Sequence, residues 1–148
     1  MANHVRQQIR EAIGTLLTGL TTTGTNVFQS RVYRIQDSEL PGLVIYSKEE
    51  DSAILTIGSV KNMMRTLTVM IEATTEKLAT FDDEVDTICK EIETAMGGDR
   101  TLGGLAKDSW LVSTDIEFSG DGKKPVGTAS LSYTVKYITA ENAPDVSL

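Results

Sequence analysis

The sequence predicts an α+β fold, a two-layer sandwich in which a mixed or antiparallel sheet of about five strands carries two main helices on one face. Three observations predict it. Residues 4–20 and 81–96 space their apolar side chains at helical intervals. The stretches 63–73, 110–118 and 126–139 alternate apolar and polar residues in the way of half-buried strands. The segments follow one another as α-β-β-β-α-β-β, which sets two helices over one sheet.

The first helix rests on Val5, Ile9, Ile13, Leu16, Leu17 and Leu20 in HVRQQIREAIGTLLTGL, with Arg6, Gln7, Arg10 and Glu11 on its other side. TTTGT at 21–25 ends it. NVFQSRVYRI at 26–35 is rich in Val, Phe, Tyr and Ile and reads as a strand. QDSELPG is a loop, and LVIYS at 43–47 is a short apolar run suited to burial on both faces. KEEDSAILTIGSVKN at 48–62 reads as a long, unusually apolar connection. In MMRTLTVMIEA, Leu67, Val69, Ile71 and Ala73 share a face. The second helix runs from Phe81 to Met96 with Val85, Ile88, Cys89 and Ile92 on its stripe. Thr80 is its expected N-cap, Asp82, Asp83 and Glu84 complement its dipole, and Gly97-Gly98 is its expected stop. WLVSTDIEF then alternates, placing Trp110, Val112, Thr114, Ile116 and Phe118 on one face. SGDGKKP is a hairpin tip, and VGTASLSYTVKYIT closes the sheet. One domain over residues 1–140 and a flexible, frayed tail over 141–148 complete the expected organisation.

Composition excludes several classes of function. An apolar fraction of 40% and a charged fraction of 24% are those of a globular chain, not a disordered one. A net charge of −7 opposes any binding that depends on neutralising phosphates, yet suits a surface past which DNA slides. The single Cys89 excludes an internal disulfide and a cysteine-based zinc cluster. No stretch approaches the apolar length of a membrane span, and MANHVRQQIREAIG has no apolar core of a secretory signal, so no membrane role and cytoplasmic synthesis are expected.

Catalytic chemistry finds few residues to work with. His4 is the only histidine and stands at a terminus, where no third group is expected to hold it. Cys89 lies on an apolar helix stripe, where a thiol is a small hydrophobe. No glycine pattern matches a phosphate-binding loop. Glu49, Glu50 and Asp51, or Asp82, Asp83 and Asp86, could supply oxygen ligands to a divalent cation. Both sets read more simply as a solvated loop and a dipole-matched first turn. No cofactor, no metal and no enzymatic activity are expected.

Association offers more. Ile54, Leu55, Ile57 and Val60 lie in a stretch flanked by acids, and a monomer avoids leaving such a patch bare. Two outcomes are open: the segment folds back as an extra hairpin strand on its own sheet, or it is an arm that docks on a neighbouring subunit. Arg31 and Arg34 on the first predicted strand join these four as candidate subunit contacts, and Lys123 and Lys124 on the hairpin tip are candidate contacts for an acidic partner.

The order of these segments resembles a known family. HVRQQIREAIGTLL, VFQSRVYRI, DSELPGLVIYSKEE, RTLTVMIEA, FDDEVDTICKEIETAM and SLSYTVKY are similar, in sequence order, to the tail terminator proteins of long-tailed bacteriophages, the minor tail protein U family. The resemblance covers about His4 to Tyr137. It implies a non-enzymatic virion component that forms a homohexameric ring at the head-proximal end of the tail. Such a ring stops tail tube polymerisation and presents a surface to the head connector or neck protein. The implied partners are copies of the chain, the tail tube protein and the connector, with DNA passing through the channel without sequence-specific contacts. The implied location is the virion, after assembly in the host cytoplasm. A head-completion or neck connector ring is the alternative in the same structural class. A small ligand-binding domain or enzyme is the alternative outside it.

Overall fold

The structure is a computed structural model that describes residues 2–29, 37–76, 80–119 and 126–148. Its elements are α1 (Val5–Leu17), β1 (Val27–Phe28), β2 (Gly42–Ile54), β3 (Asn62–Thr75), α2 (Phe81–Gly98), β4 (Asp108–Ser119) and β5 (Val126–Ala140). The five strands form one sheet in the order β1-β2-β3-β5-β4. β1 runs parallel to β2, and every other neighbouring pair is antiparallel. The sheet is therefore mixed, and its long central strands β3 and β5 pair from Asn62↔Ala140 to Thr75↔Gly127.

Both helices lie on one face, α1 against β1 and β2, α2 against β3, β5 and β4. Strand alternation supplies the floor of the core: Leu67, Val69, Ile71 and Ala73 from β3, and Ala129, Leu131, Tyr133, Val135 and Tyr137 from β5. The helical stripes supply its roof through Val5, Ile9, Ile13, Leu17, Val85, Ile88, Ile92 and Met96. The α+β sandwich expected from the sequence is the architecture found.

Local chemistry sets the ends of the helices. At α1, the His4 Nδ1 accepts from the Arg6 backbone N–H at 3.0 Å, and burial followed by the Arg6 charge lowers the imidazole pKa. Gly19, at φ 94°, turns the chain away after α1. α2 departs from expectation at both ends. Thr80 makes no side-chain cap, and the helix runs through Gly98 to a cap at Asp99. The left-handed residues come later, at Leu102, Gly103 and Gly104.

Three strand expectations need correction. Of the strand expected at 26–35, Val27 and Phe28 form the described part, and residues 30–36 lie outside the described residues. The connection expected at 48–62 is instead a hairpin, because β2 continues to Ile54 and pairs with β3 up to Ile54↔Met63. Ladder bonding to β3 overrides the low strand preference of Lys48–Ser52. The single face expected for Trp110, Val112, Thr114, Ile116 and Phe118 is broken by a bulge between Leu111 and Ser113. One extra residue there sends Trp110 to the uncovered face and Ile116 and Phe118 to the helix-bearing face.

Residues 141–148, expected to fray, are held by hydrogen bonds. The Val5 N–H donates to the Pro144 carbonyl at 2.8 Å, the Ser147 hydroxyl to the Leu105 carbonyl at 2.7 Å, and the Leu148 N–H to the Ile138 carbonyl at 2.9 Å. Gln8 adds a bond to the Asp145 carbonyl at 3.0 Å. The segment closes the end of the core that α1 enters.

Candidate assembly surface

The β2–β3 hairpin carries Ile54, Leu55, Ile57 and Val60, and its geometry is set from the base outward. Leu43, Ile45 and Ser47 of β2 pair opposite the core residues Ala73, Ile71 and Val69. Simple alternation would turn Glu49 inward next. A bulge between Ser47 and Glu49 shifts the phase, so Glu50 takes the inward position opposite Leu67.

Glu50 is thereby buried, with 8% of its side chain exposed, and it is fully engaged. Arg6 of α1 donates to its Oε2 at 2.7 Å, and Arg65 of β3 lies 3.5 Å from the same oxygen. The Tyr137 hydroxyl of β5 donates to its Oε1. Arg65 also donates from Nε to the Thr139 hydroxyl at 3.0 Å. One carboxylate thus ties α1, β2, β3 and β5 together where the apolar core ends. Burial, and then the bond to Glu50, push the Tyr137 phenol above its usual pKa.

Beyond this base the character reverses. The Leu55 N–H still donates to the Asn62 carbonyl at 2.8 Å, and the Asn62 N–H donates to the Thr56 hydroxyl at 2.9 Å, so the turn is closed. Its apolar side chains point to solvent. Ile54 is 58% exposed, Leu55 48%, Val60 46%, and Ile57 is fully bare. Of the two outcomes left open by the sequence, the fold-back applies to residues up to Ile54, and the apolar residues nevertheless remain uncovered.

Arg31, Arg34, Lys123 and Lys124 lie outside the described residues. The acidic trio is split by strand alternation, since Glu49 and Asp51 face away from the helices while Glu50 is held by arginines. Among the described residues no three His, Cys, Asp or Glu side chains converge as a metal site. No described helix is long and apolar enough to cross a membrane. Cys89 is buried, and its thiol is pushed up to about 11, chiefly by burial and then by Glu93.

A second apolar surface lies at the edge strand β4, whose Trp110, Val112, Ile116 and Phe118 the sequence places on one face. Val112 is 58% exposed, Ile116 52% and Phe118 53%, on a strand with no further neighbour among the described residues. α2 ends its cover at Phe81, whose ring sits 5.3 Å from that of Phe118 and lies against the bare Cα of Gly127. A β-carbon at Gly127 would collide with the Phe81 ring, so the glycine permits this aromatic corner. The bulge hid the patch, because an unbroken alternation would have buried one full row.

The face of the sheet away from the helices mixes polar side chains with Val44, Tyr46, Met64, Met70 and Trp110. Thr66, Thr68, Thr128, Ser130, Ser132 and Thr134 stand on it, with Glu49, Asp51, Glu72, Asp115 and Glu117 among them. Lys136 lies there too, its ammonium 5.6 Å from the centre of the Trp110 ring.

No family model matches the chain, and no curated protein matches it. Among solved structures it is similar to a chain described as the virion of a native gene transfer agent particle. That similarity has a TM-score of 0.43 at 16% sequence identity and covers 90% of this chain and 92% of the other.

Proposed function

We propose that the chain is a structural component of a phage-like virion, and that it forms a homohexameric ring which ends tail tube growth and receives the head connector. The observation that carries this reading is the hairpin tip. Four apolar side chains stand exposed on a turn whose base is fixed by a buried charge network. A free monomer gains nothing from such a tip, whereas a subunit that is covered by its neighbour gains the burial of each side chain, about 1.5–3 kcal/mol for a fully buried Leu or Ile. The tail terminator resemblance, which spans the segments from His4 to Tyr137, supplies the class of assembly.

The sheet face turned away from the helices supports the passage of DNA. Its threonine and serine hydroxyls stand among five carboxylates against the single ammonium of Lys136 named on it, so the surface repels phosphates on balance. A ring that caps a tube also needs one face that fits the tube and another that refuses further tube subunits.

Tail length tests the proposal. Particles assembled without the chain should carry tails of uncontrolled length that fail to join heads, and added purified chain should restore uniform, head-joined tails. Normal tails in its absence would overturn the reading. Tails of normal length left unjoined, with the chain retained on tail-less heads, would replace it with a neck connector role.

A further inference from the structure

We infer that the hairpin tip at 54–60 seats on the β4 corner of a second copy of this chain, against Val112, Ile116 and Phe118. This rests on the ring reading and adds the acceptor that the reading leaves unnamed. The two surfaces are the concentrations of exposed bulky apolar side chains on the described sheet: the tip on one side, Val112, Ile116 and Phe118 on the other. They cannot meet within one chain. The tip projects beyond the Asn62↔Ala140 end of the central strands, and Phe118 pairs with Gly127 at the Thr75 end. At about 3.4 Å per residue along β3, Phe118 lies about 44 Å and Val112 about 25 Å from the Asn62 end of the strands.

The acceptor edge carries a bulge and two carboxylates but neither of the other common guards, a lysine or a proline. β4 is 12 residues long, and its stretch 112–119 contains no lysine, arginine or proline. The edge of β2 past Ser47, which has no further neighbour among the described residues, differs in carrying Lys48 beside its bulge and its acids Glu49 and Asp51. Three exposed apolar side chains on an edge strand are tolerable when something covers them in the working state. The two segments also differ in charge, since residues 54–62 include Lys61 and no carboxylate, while 112–119 include Asp115 and Glu117, on the other face of the edge strand from Ile116 and Phe118, and no cation. Each copy thus offers one donor and one acceptor of different shape, at opposite corners of the sheet. A contact of this kind is head-to-tail, and head-to-tail contacts close into rings when their rotation divides the circle.

Mixing two disabled variants tests the pairing. Leu55→Ser with Ile57→Ser removes the donor, and Val112→Ser with Ile116→Ser removes the acceptor. All four positions are about half exposed or more, so both variants should melt like wild type. In sedimentation each variant alone should stay monomeric, and an equimolar mixture should yield 1:1 dimers and nothing larger. In parallel, Ser59→Cys on one chain and Thr114→Cys on another should form a disulfide only in the mixture, with buried Cys89 silent. Wild-type rings together with a mixture that stays monomeric, or an acceptor variant that assembles like wild type, would overturn the inference and leave the ring reading standing. Wild type that stops at a dimer would keep the contact and remove the ring. Wild type that stays monomeric even on tail tubes would remove both.

Discussion

The base and the tip of the β2–β3 hairpin invert the usual distribution of side chains. At the base a carboxylate is buried among two arginines and a tyrosine. At the tip, a few residues along the same strands, isoleucine, leucine and valine stand in water. A hairpin that served only its own fold would place these groups the other way round. Buried ion pairs contribute little net stability against an apolar replacement, but they fix geometry because every partner must be met. The contrast teaches that the side chains holding the hairpin to the fold are separate from those it leaves exposed at its tip.

Breaking the tip should have the largest effect on assembly and almost none on folding. Leu55→Ser with Ile57→Ser should abolish ring formation, while the urea midpoint changes by less than about 0.5 kcal/mol in stability, as for surface sites. Breaking the base should do the reverse. Glu50→Ala leaves the partly buried Arg65 and the buried Tyr137 hydroxyl without their carboxylate and should cost about 2 kcal/mol in urea unfolding, less than a fully buried pair because Arg65 is 14% and Arg6 41% exposed. If the base sets the angle of the tip, assembly of this variant should also weaken under conditions where the monomer remains folded.

The comparison extends to the aromatic corner of β4. Gly127→Ala pushes a β-carbon into the Phe81 ring and should cost about 1–2 kcal/mol, measured by thermal melting, as overpacking does. The smallest effect concerns pH. The Cys89 thiol is raised from 9.0 to about 11 in the fold, so its contribution to stability is complete below pH 9 and is lost as the pH rises from 9 to 11, when the unfolded chain ionises first. Tyr137 acts in the same direction at higher pH. The urea midpoint should therefore fall above pH 9, and Cys89→Ala should reduce that fall. A midpoint flat from pH 8 to 11 would contradict the burial of both groups.

Periodicity made much of this fold legible. The stripe Val5, Ile9, Ile13, Leu17 and the alternation of β3 and β5 are strong signals because one face is buried along the whole element. β2 past Ser47 was illegible because Lys48–Ser52 look like loop residues and their strand state comes from pairing with β3. Two bulges carried the remaining information. One chose Glu50 over Glu49 for burial, and the other turned the row of β4 over at Val112. A single inserted residue leaves no trace in composition, yet it reverses every later side chain. That is why the exposed tip residues were singled out from the sequence while the β4 patch and the Glu50 network were not.

Electron microscopy of the purified chain seated on tail tube ends addresses the central claim most directly. The account predicts a closed ring of six copies at the end of each tube, each hairpin tip covered by the next subunit. Tube ends bearing isolated copies, or a ring in which the tips of 54–60 remain bare, would contradict it.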